Sequence, residues 1–382
     1  MKQLESKYLT PWGALFLQLL VLVACNGNDV PAPQLLPEKE EVPIRWDVQS
    51  EGMVNGRALI EDNTDLQDAC TPLALDGKGK AIGIWSAYER NGEVTKNVLG
   101  EDGDVSLVYN LNTQNDHYQG WTYGEKAAYW THGAKYTFNA YFPKDAIQIL
   151  PSSDISTFVA RYNTVTTQED LMLAFKEVST MESAPVNPVP LQLRHALAAL
   201  KFQFRFSDGF KEVNDKLTAF WLENTAEQGL CMQGLLKFGT EGAGEAIVWD
   251  LENSAYAASG TPFYQWKYAE GLPITTSTDN MATVYTKGSY TENNGWLLII
   301  PQESDGTVDL CFQTKSGGDV VHRVRLPLKT GMDKSGNKVD TGTWFAPARR
   351  YAYSLLITPT AVKVTLGIAG WNELESSYDI TF

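Results

Sequence analysis

The stretch KYTFNAYF, residues 135–142, decides the fold class of this chain. Its apolar side chains occupy every second position: Tyr136, Phe138, Ala140 and Phe142. Because successive side chains of a β-strand point to opposite faces, this spacing predicts a strand with one buried and one solvated face. The basic element of the predicted fold is therefore an antiparallel sheet with one wet face.

The same period of two recurs along the chain, in LKFQFRF (200–206) and AVKVTLGI (361–368). The stretch VDLCFQTKSGGDVVHRVRL (308–326) predicts a hairpin that turns at Gly317-Gly318. No segment keeps a helical period for three turns, so the sequence predicts an all-β fold.

Closely spaced prolines suggest how the chain is divided. Pro185, Pro188 and Pro190 fall within six residues, and proline cannot donate a hydrogen bond to a strand ladder. We expect the junction between two β-sandwich domains near residue 188, with an N-terminal domain at 44–188 and a C-terminal domain at 189–382. Either stretch is long enough to bury a core of its own.

The first residues resemble an export signal. LLVLVACNGNDVPAP (19–33) follows two lysines, and its apolar run is too short to cross a membrane as a helix. Leu22-Val23-Ala24-Cys25 matches a bacterial lipobox at all four positions. We expect residues 1–24 to be a signal peptide and the Cys25 thiol to accept diacylglycerol with fatty acids such as palmitate. Residues 25–43 would then form an extended tether.

Charge and cysteine content limit the partners and the covalent structure. The formal net charge is −15, and removal of the signal peptide, which carries a net charge of +1, takes it to −16. Such an acidic protein repels nucleic acid and anionic lipid headgroups, so attachment to a membrane must come from the lipid. Beyond Cys25 only three cysteines remain, Cys70, Cys231 and Cys311, which allow at most one disulfide bond.

The sequence contains little that indicates catalysis. The four histidines share no metal-ligand spacing with one another or with the cysteines. No glycine-rich stretch has the pattern of a phosphate-binding loop. We predict no enzymatic activity, metal or cofactor. In WTYGEKAAYW (121–130) the rings of Trp121 and Trp130 are candidates for a sugar-stacking platform, although strands also bury tryptophan routinely.

Several phrases, taken in order and spacing, resemble the fimbrillin family, the lipoprotein subunits of type V pili. They are PIRWDVQS (43–50) with GRALI (56–60), IGIWSAY (82–88), AAYWTHGAKYTFNAYFP (127–143), QEDLMLA (168–174), VPLQLRHALAALKFQF (189–204), WLLIIPQ (296–302), WFAPARRYAYSLLI (344–357) and IAGWNE (368–373). The resemblance implies two tandem transthyretin-like β-sandwiches, a surface location, and a role in pilus assembly or adhesion. It implies neither enzyme activity nor a cofactor.

The resemblance also implies how subunits would join. A first strand at about Ile44–Gln49 would be cut away at Arg57-Ala58, and another chain's strand would fill the groove. The donor candidate is the alternating end segment with Tyr378, Ile380 and Phe382, which could instead complete its own domain. One departure is Pro347-Ala348, where the family often has Pro-Gly, so we expect a different local turn at Ala348.

Two functions follow as hypotheses. The first is a fimbrial subunit or adhesion component on the cell surface or in the fimbrium, held in the outer membrane by lipid on Cys25. Its partners would be other pilus subunits or copies of itself, with host or bacterial surface ligands in addition. The alternative is a monomeric surface lipoprotein that binds glycans through Trp121 and Trp130.

Overall fold

A computed structural model describes residues 42–50, 63–71, 80–100, 104–110, 120–123, 127–150, 157–181, 184–207, 215–225, 229–239, 246–251, 256, 258–274, 282–283, 296–302, 308–327, 330–333, 335, 337–340, 345–358 and 361–371. The described residues are mostly strands, so the predicted all-β class is confirmed. One short α-helix, α1 (Asn63–Ala69), and a 3-10 turn at Lys144–Ala146 interrupt them. No described helix has the length and apolar character needed to span a membrane.

Ten strands lie among the described residues before 196. They are β1 (Trp46–Ser50), β2 (Ile82–Arg90), β3 (Glu93–Lys96), β4 (Asp104–Asn110), β5 (Gly120–Tyr123), β6 (Lys135–Phe142), β7 (Gln148–Ile149), β8 (Thr157–Asn163), β9 (Met172–Ser179) and β10 (Val189–His195). Eight of them form one sheet in the order β3-β2-β4-β5-β1-β10-β9-β6. Because β6 also pairs with β2, this sheet closes on itself around its own core.

The stretch that predicts the fold class lies in this closed sheet as β6. Its alternate residues Tyr136, Phe138, Ala140 and Phe142 belong to the enclosed core, as expected. Thr137 and Asn139, which the alternation places on the solvated face, are buried as well. Strand β6 is therefore covered on both faces, because further elements pack on the outside of the sheet there.

Thirteen strands lie among the described residues after 196. They are β11 (Ala198–Phe206), β12 (Lys216–Asn224), β13 (Gln233–Gly239), β14 (Ala246–Leu251), β15 (Pro262–Pro273), β16 (Ala282–Thr283), β17 (Leu297–Ile299), β18 (Val308–Thr314), β19 (His322–Arg325), β20 (Thr330–Met332), β21 (Lys338–Asp340), β22 (Arg349–Ile357) and β23 (Val362–Gly370). The predicted hairpin around Gly317-Gly318 is confirmed as the antiparallel pair β18–β19.

The second half contains two sheets that share a core. One has the order β16-β11-β22-β23-β20-β21 with β17 beside β11, and the other has the order β15-β12-β18-β19. Phe202, Phe204 and Tyr353 of the first sheet lie in one buried cluster with Phe220 and Phe312 of the second. The face-to-face burial of alternating residues is the packing of a β-sandwich.

A fourth sheet joins strands from either side of residue 188. Its order is β14-β13-β8-β7, and β8 pairs with β13 from Gln233↔Asn163 to Gly239↔Thr157. A third buried cluster accompanies it and contains Phe158 and Phe175 together with Phe238 and Trp371. The side chain of Gln168 adds two hydrogen bonds to the backbone of Leu298, at 2.8 and 3.0 Å.

Strand β10 starts one residue after the predicted junction at 188 and pairs with β1 and β9 of the closed sheet. Among the described residues, the strand pairing therefore crosses residue 188 at three places, through β1–β10, β9–β10 and β8–β13. The division into two domains stays a prediction, but the end of the closed sheet lies at His195 and not at 188.

The prediction of a different local turn at Ala348 is wrong. Ala348 has a φ of 55°, which is the left-handed conformation that glycine would adopt there without strain. Its N–H donates to Leu197 O at 2.9 Å, and its carbonyl accepts a hydrogen bond from Trp371 N at 3.1 Å. These hydrogen bonds keep the glycine-like turn although the residue is alanine.

Candidate functional site

Strand β1 is the most unusual element of the closed sheet, because it pairs with its two neighbours in different ways. It runs parallel to β10 through five residue pairs, from Trp46↔Val189 to Ser50↔Leu193. Towards β5, the described part of the chain has one antiparallel pair, Trp46↔Trp121. The strand therefore depends on a single neighbour for most of its backbone hydrogen bonds.

The inner face of the β1 segment is strongly apolar. Ile44, Trp46 and Val48 are each 2% exposed, whereas Asp47 and Gln49 between them lie on the solvent side. Burial of three such side chains contributes about 6 kcal/mol. The Trp46 ring meets Phe138 edge to face with a centroid separation of 5.0 Å. Side-chain packing thus retains β1 where the ladder towards β5 is short.

The amino-terminal end of β1 is held by a side-chain amide. Asn187 Oδ1 accepts a hydrogen bond from Arg45 N at 2.9 Å, and Asn187 Nδ2 donates to Pro43 O at 2.9 Å. On the other side of the segment, Ile44 N donates to Ala128 O at 2.8 Å. Asn187 takes the place of a strand neighbour for two residues that precede the regular ladder.

The carboxyl-terminal end is held in a similar way. Asn63, the first residue of α1, accepts hydrogen bonds from Ser50 N at 2.7 Å and from Ser50 Oγ at 3.2 Å. Within the strand, Trp121 Nε1 donates to Val48 O at 3.2 Å. The indole of β5 supplies a hydrogen bond that the short backbone pairing with β5 does not.

Removal of β1 would open a slot in the sheet. Its neighbours β5 and β10 would each present backbone donors and acceptors, and the bottom of the slot would be the apolar core that Trp46 and Val48 now cover. A strand of alternating apolar and polar residues fits such a slot, because it restores both the ladder and the core. The arrangement can therefore serve as a strand-acceptor site.

The two candidate sugar-stacking tryptophans have other roles in the structure. Trp121 is 5% exposed and lies in the core, where its ring meets Tyr109. Trp130 is partly buried and packs edge to face on Tyr136 with a centroid separation of 4.7 Å. A stacking platform needs a ring face open to solvent, so the geometry does not favour one at these two residues.

The other predicted site residues lie outside the described residues: Cys25, Arg57, Ala58, Tyr378, Ile380 and Phe382. The three remaining cysteines, Cys70, Cys231 and Cys311, are buried, and none of them forms a disulfide bond among the described residues. Burial raises the pKa of the Cys70 and Cys311 thiols to about 12, so both stay protonated at neutral pH. Among the described residues, no group of side chains could hold a metal ion.

Sequence reasoning does not identify Asn63 or Asn187 as residues that hold β1. Asn187 lies among prolines, in a segment that the sequence suggests is only a connection. Its neighbours along the chain give no sign that its amide contacts residues near position 44. The one feature that could have pointed to such residues is the predicted first strand, which is found as β1. The backbone groups at both ends of a strand need hydrogen-bond partners.

The fold and the site define a class of protein: an all-β protein whose short first strand fills a slot in a closed sheet. The chain belongs to the fimbrillin-like family, whose model matches residues 74–371. No curated protein matches the chain at a significant level.

The solved structures to which this chain is similar share little of its amino-acid sequence. A fimbrial protein from Bacteroides vulgatus is 14% identical, and the match covers 86% of this chain and 99% of that one with a TM-score of 0.48. A candidate cell adhesion protein from Bacteroides uniformis is 14% identical, with 88% and 100% covered and a TM-score of 0.47. A fimbrial assembly protein from Parabacteroides distasonis is 11% identical, with 75% and 87% covered and a TM-score of 0.32.

Proposed function

We propose that this protein is a fimbrial subunit or adhesion component of the bacterial surface that assembles by exchange of its first strand. Membership of the fimbrillin-like family supports the class of function. The observation that carries the mechanism is the position of β1, which is paired well with β10 and through one residue pair with β5. The proposed work is done by strand pairing and surface contacts, without an enzyme activity or cofactor.

In the proposed mechanism, cleavage at Arg57-Ala58 separates β1 covalently from the rest of the chain. The separated segment is then held by the Asn187 and Asn63 contacts, by the ladder to β10, and by its apolar side chains. A donor strand from another subunit displaces it and covers the same core. Tyr378, Ile380 and Phe382 have the alternation that a donor strand needs.

The proposed location follows from the first residues of the chain. Lipid on Cys25 would attach the protein to the outer membrane, and the tether from 25 to 43 would place the folded part at the cell surface or within a fimbrium. Its partners would be other subunits or copies of itself. A protein with a net charge of −15 has no electrostatic attraction for nucleic acid.

The experiment compares cells that express the unaltered chain, Cys25→Ala or Arg57→Ala together with the neighbouring genes. We expect Cys25→Ala to be lost from the outer-membrane fraction. We expect Arg57→Ala to reach that fraction uncut and to be absent from fimbriae in electron micrographs. Arg90→Ala, which removes an exposed arginine at the end of β2, is the matched control and should assemble normally.

The two variants test separate parts of the proposal. Normal fimbriae that contain uncut Arg57→Ala would contradict proteolytic release of β1. Sedimentation of Cys25→Ala with the outer membrane would contradict the lipid attachment. Absence of the unaltered chain from every fimbria would contradict the proposed function as a whole.

A further inference from the structure

The outer face of the closed sheet has a pocket where two of its strands separate. Among the described residues, β10 pairs with β9 through Arg194↔Leu173 and His195↔Met172. Beyond these two pairs, the strands diverge, and a pocket of about 270 Å³ lies along the divergence and extends over β1. The pocket is on the opposite face of β1 from the core, because Asp47 and Gln49 line it.

The lining is chemically distinct from the rest of this acidic protein. Lys176 of β9 and Arg194 of β10 contribute two positive charges, and Asp47 contributes one negative charge. The chain as a whole has a formal net charge of −15, so a pocket with a positive excess departs from the average surface. Such a pocket favours an anionic ligand.

The remaining lining groups add hydrogen bonding and an apolar surface. Gln49 Nε2 donates to Asp47 Oδ2 at 3.3 Å and Gln192 Nε2 donates to Ser50 O at 3.4 Å, so each amide keeps its second N–H and its oxygen for a ligand. Phe175 contributes apolar surface. A ligand that uses all of these groups has one carboxylate, several hydroxyls and an apolar ring face. An acidic sugar has that combination.

We propose that this pocket binds a single acidic sugar residue, such as a hexuronic acid at the end or within a chain of a polysaccharide. Arg194 and Lys176 bind the carboxylate, because the guanidinium forms paired hydrogen bonds with a carboxylate and the ammonium adds a point charge. Asp47 and the two glutamine amides bind ring hydroxyls. A volume of about 270 Å³ is below the usual range of drug-sized sites, which suits one sugar unit.

The site is complete only while β1 is in place. Asp47 and Gln49 belong to β1, whereas Lys176 and Arg194 belong to strands that would remain after its removal. This consequence rests on the proposed function: a subunit that has exchanged β1 would lose the hydroxyl-binding side of the pocket and keep the cationic side. Binding to the uncut chain does not depend on assembly, so the two proposals can fail separately.

The test titrates the full chain, uncut and with β1 present, with galacturonic acid in a calorimeter. Galactose, which carries a CH2OH group in place of the carboxylate, is the matched ligand control. We expect galacturonic acid to bind at least about tenfold more tightly than galactose. Lys176→Gln and Arg194→Gln should each remove most of this difference. Lys96→Gln makes the same charge change on exposed β3 and should leave it intact.

Each variant is first shown to unfold at the same temperature as the unaltered chain. Equal affinity for the two sugars, or absence of binding by either, would overturn the proposal. Full affinity in folded Lys176→Gln and Arg194→Gln would overturn the assignment to this pocket. Competition by acetate at the same concentration as galacturonic acid would show that the sugar ring contributes nothing, and would also overturn it.

Discussion

Ala348 shows how one residue can keep a turn that its side chain disfavours. A Cβ at positive φ approaches the following carbonyl oxygen, and the cost is about 1–2 kcal/mol for a residue other than glycine. The strain is maintained because the backbone of Ala348 is hydrogen-bonded on both sides, to Leu197 and to Trp371. Both partners lie in the buried cluster that β8 and β13 accompany.

The prediction at this scale is that Ala348→Gly stabilises the protein. Glycine relieves the strain at φ 55° and gives back part of the gain through its larger unfolded-state entropy, so we expect the free energy of unfolding to rise by about 1 kcal/mol. Ala346→Gly, two residues earlier and without positive φ, should lower it by about 0.5–1 kcal/mol. Denaturant unfolding measures both, and a loss of stability in Ala348→Gly would contradict the strain.

At the scale of single elements, β1 combines a buried apolar face with an incomplete backbone ladder. Its alternate residues are buried in the core of the closed sheet. Among the described residues, however, it pairs with β5 through one residue pair only. Side chains from Asn187, Asn63 and Trp121 supply hydrogen bonds that a longer ladder would otherwise supply. An element built in this way is held mainly by its apolar face, by its ladder to β10 and by these side-chain contacts.

We predict that Asn187→Ala loosens β1 selectively. The change leaves Pro43 O and Arg45 N without the Asn187 partner that the structure gives them, at a cost of about 1–3 kcal/mol. Hydrogen exchange of the amides in β1 should become faster by a clearly larger factor than exchange in β18 of the other half. Asn187→Asp, which keeps an acceptor for Arg45 N and loses the donor to Pro43 O, should have an intermediate effect. Equal acceleration in both strands would mean global destabilisation and would refute a local role.

At the scale of the whole described chain, the third buried cluster contains residues from both sides of position 188. Phe175 of β9 meets Phe238 of β13 edge to face with a centroid separation of 6.0 Å. The β8–β13 ladder and the Gln168 hydrogen bonds to Leu298 add polar contacts to this apolar one. Contacts of this extent favour cooperative unfolding over two independent halves.

We predict that Phe238→Ala lowers the stability of residues on both sides of position 188. Truncation of a phenylalanine that is 2% exposed costs about 3–5 kcal/mol. Hydrogen exchange should report the loss in β6 of the closed sheet as well as in β22 of the sandwich. Phe312→Ala, in the core of the sandwich, is the matched comparison and should also lower protection in β6 if unfolding is cooperative. Loss of protection in β22 with unchanged exchange in β6 would show that the two halves unfold separately.

The sequence predicts the strands of this fold better than their partners. Alternation identifies β6, β11 and β23 because it records which face of each strand is buried. It contains no information about the parallel pairs β1–β10 and β11–β22, whose members lie more than a hundred residues apart. The prolines near 188 indicated a break, yet Pro190 lies within β10 at its first outward-facing position, where β9 has diverged and leaves its ring room.

For the candidate site, the sequence predicts the first strand but not what holds it. The resemblance to the fimbrillin family implies a first strand at about Ile44–Gln49, and the structure has a strand there, at Trp46–Ser50. The roles of Asn187 and Asn63 are not predicted, because a side-chain amide that is hydrogen-bonded to a distant backbone group produces no pattern in the sequence. The pocket over β1 is not predicted either, because Asp47, Lys176 and Arg194 are far apart in the sequence and come together only in the folded sheet.

The parallel pairing of β1 with β10 determines how the protein would respond to a pulling force. The chain enters β1 from the side of Val42 and leaves β10 at His195 on the way to the sandwich. Tension along the chain therefore draws the two strands in opposite directions along their common axis, so that their hydrogen bonds bear the load together in shear. An antiparallel pair pulled from one end would open bond by bond like a zipper. The first strand is thus in the orientation in which its ladder to β10 best resists extraction along its length.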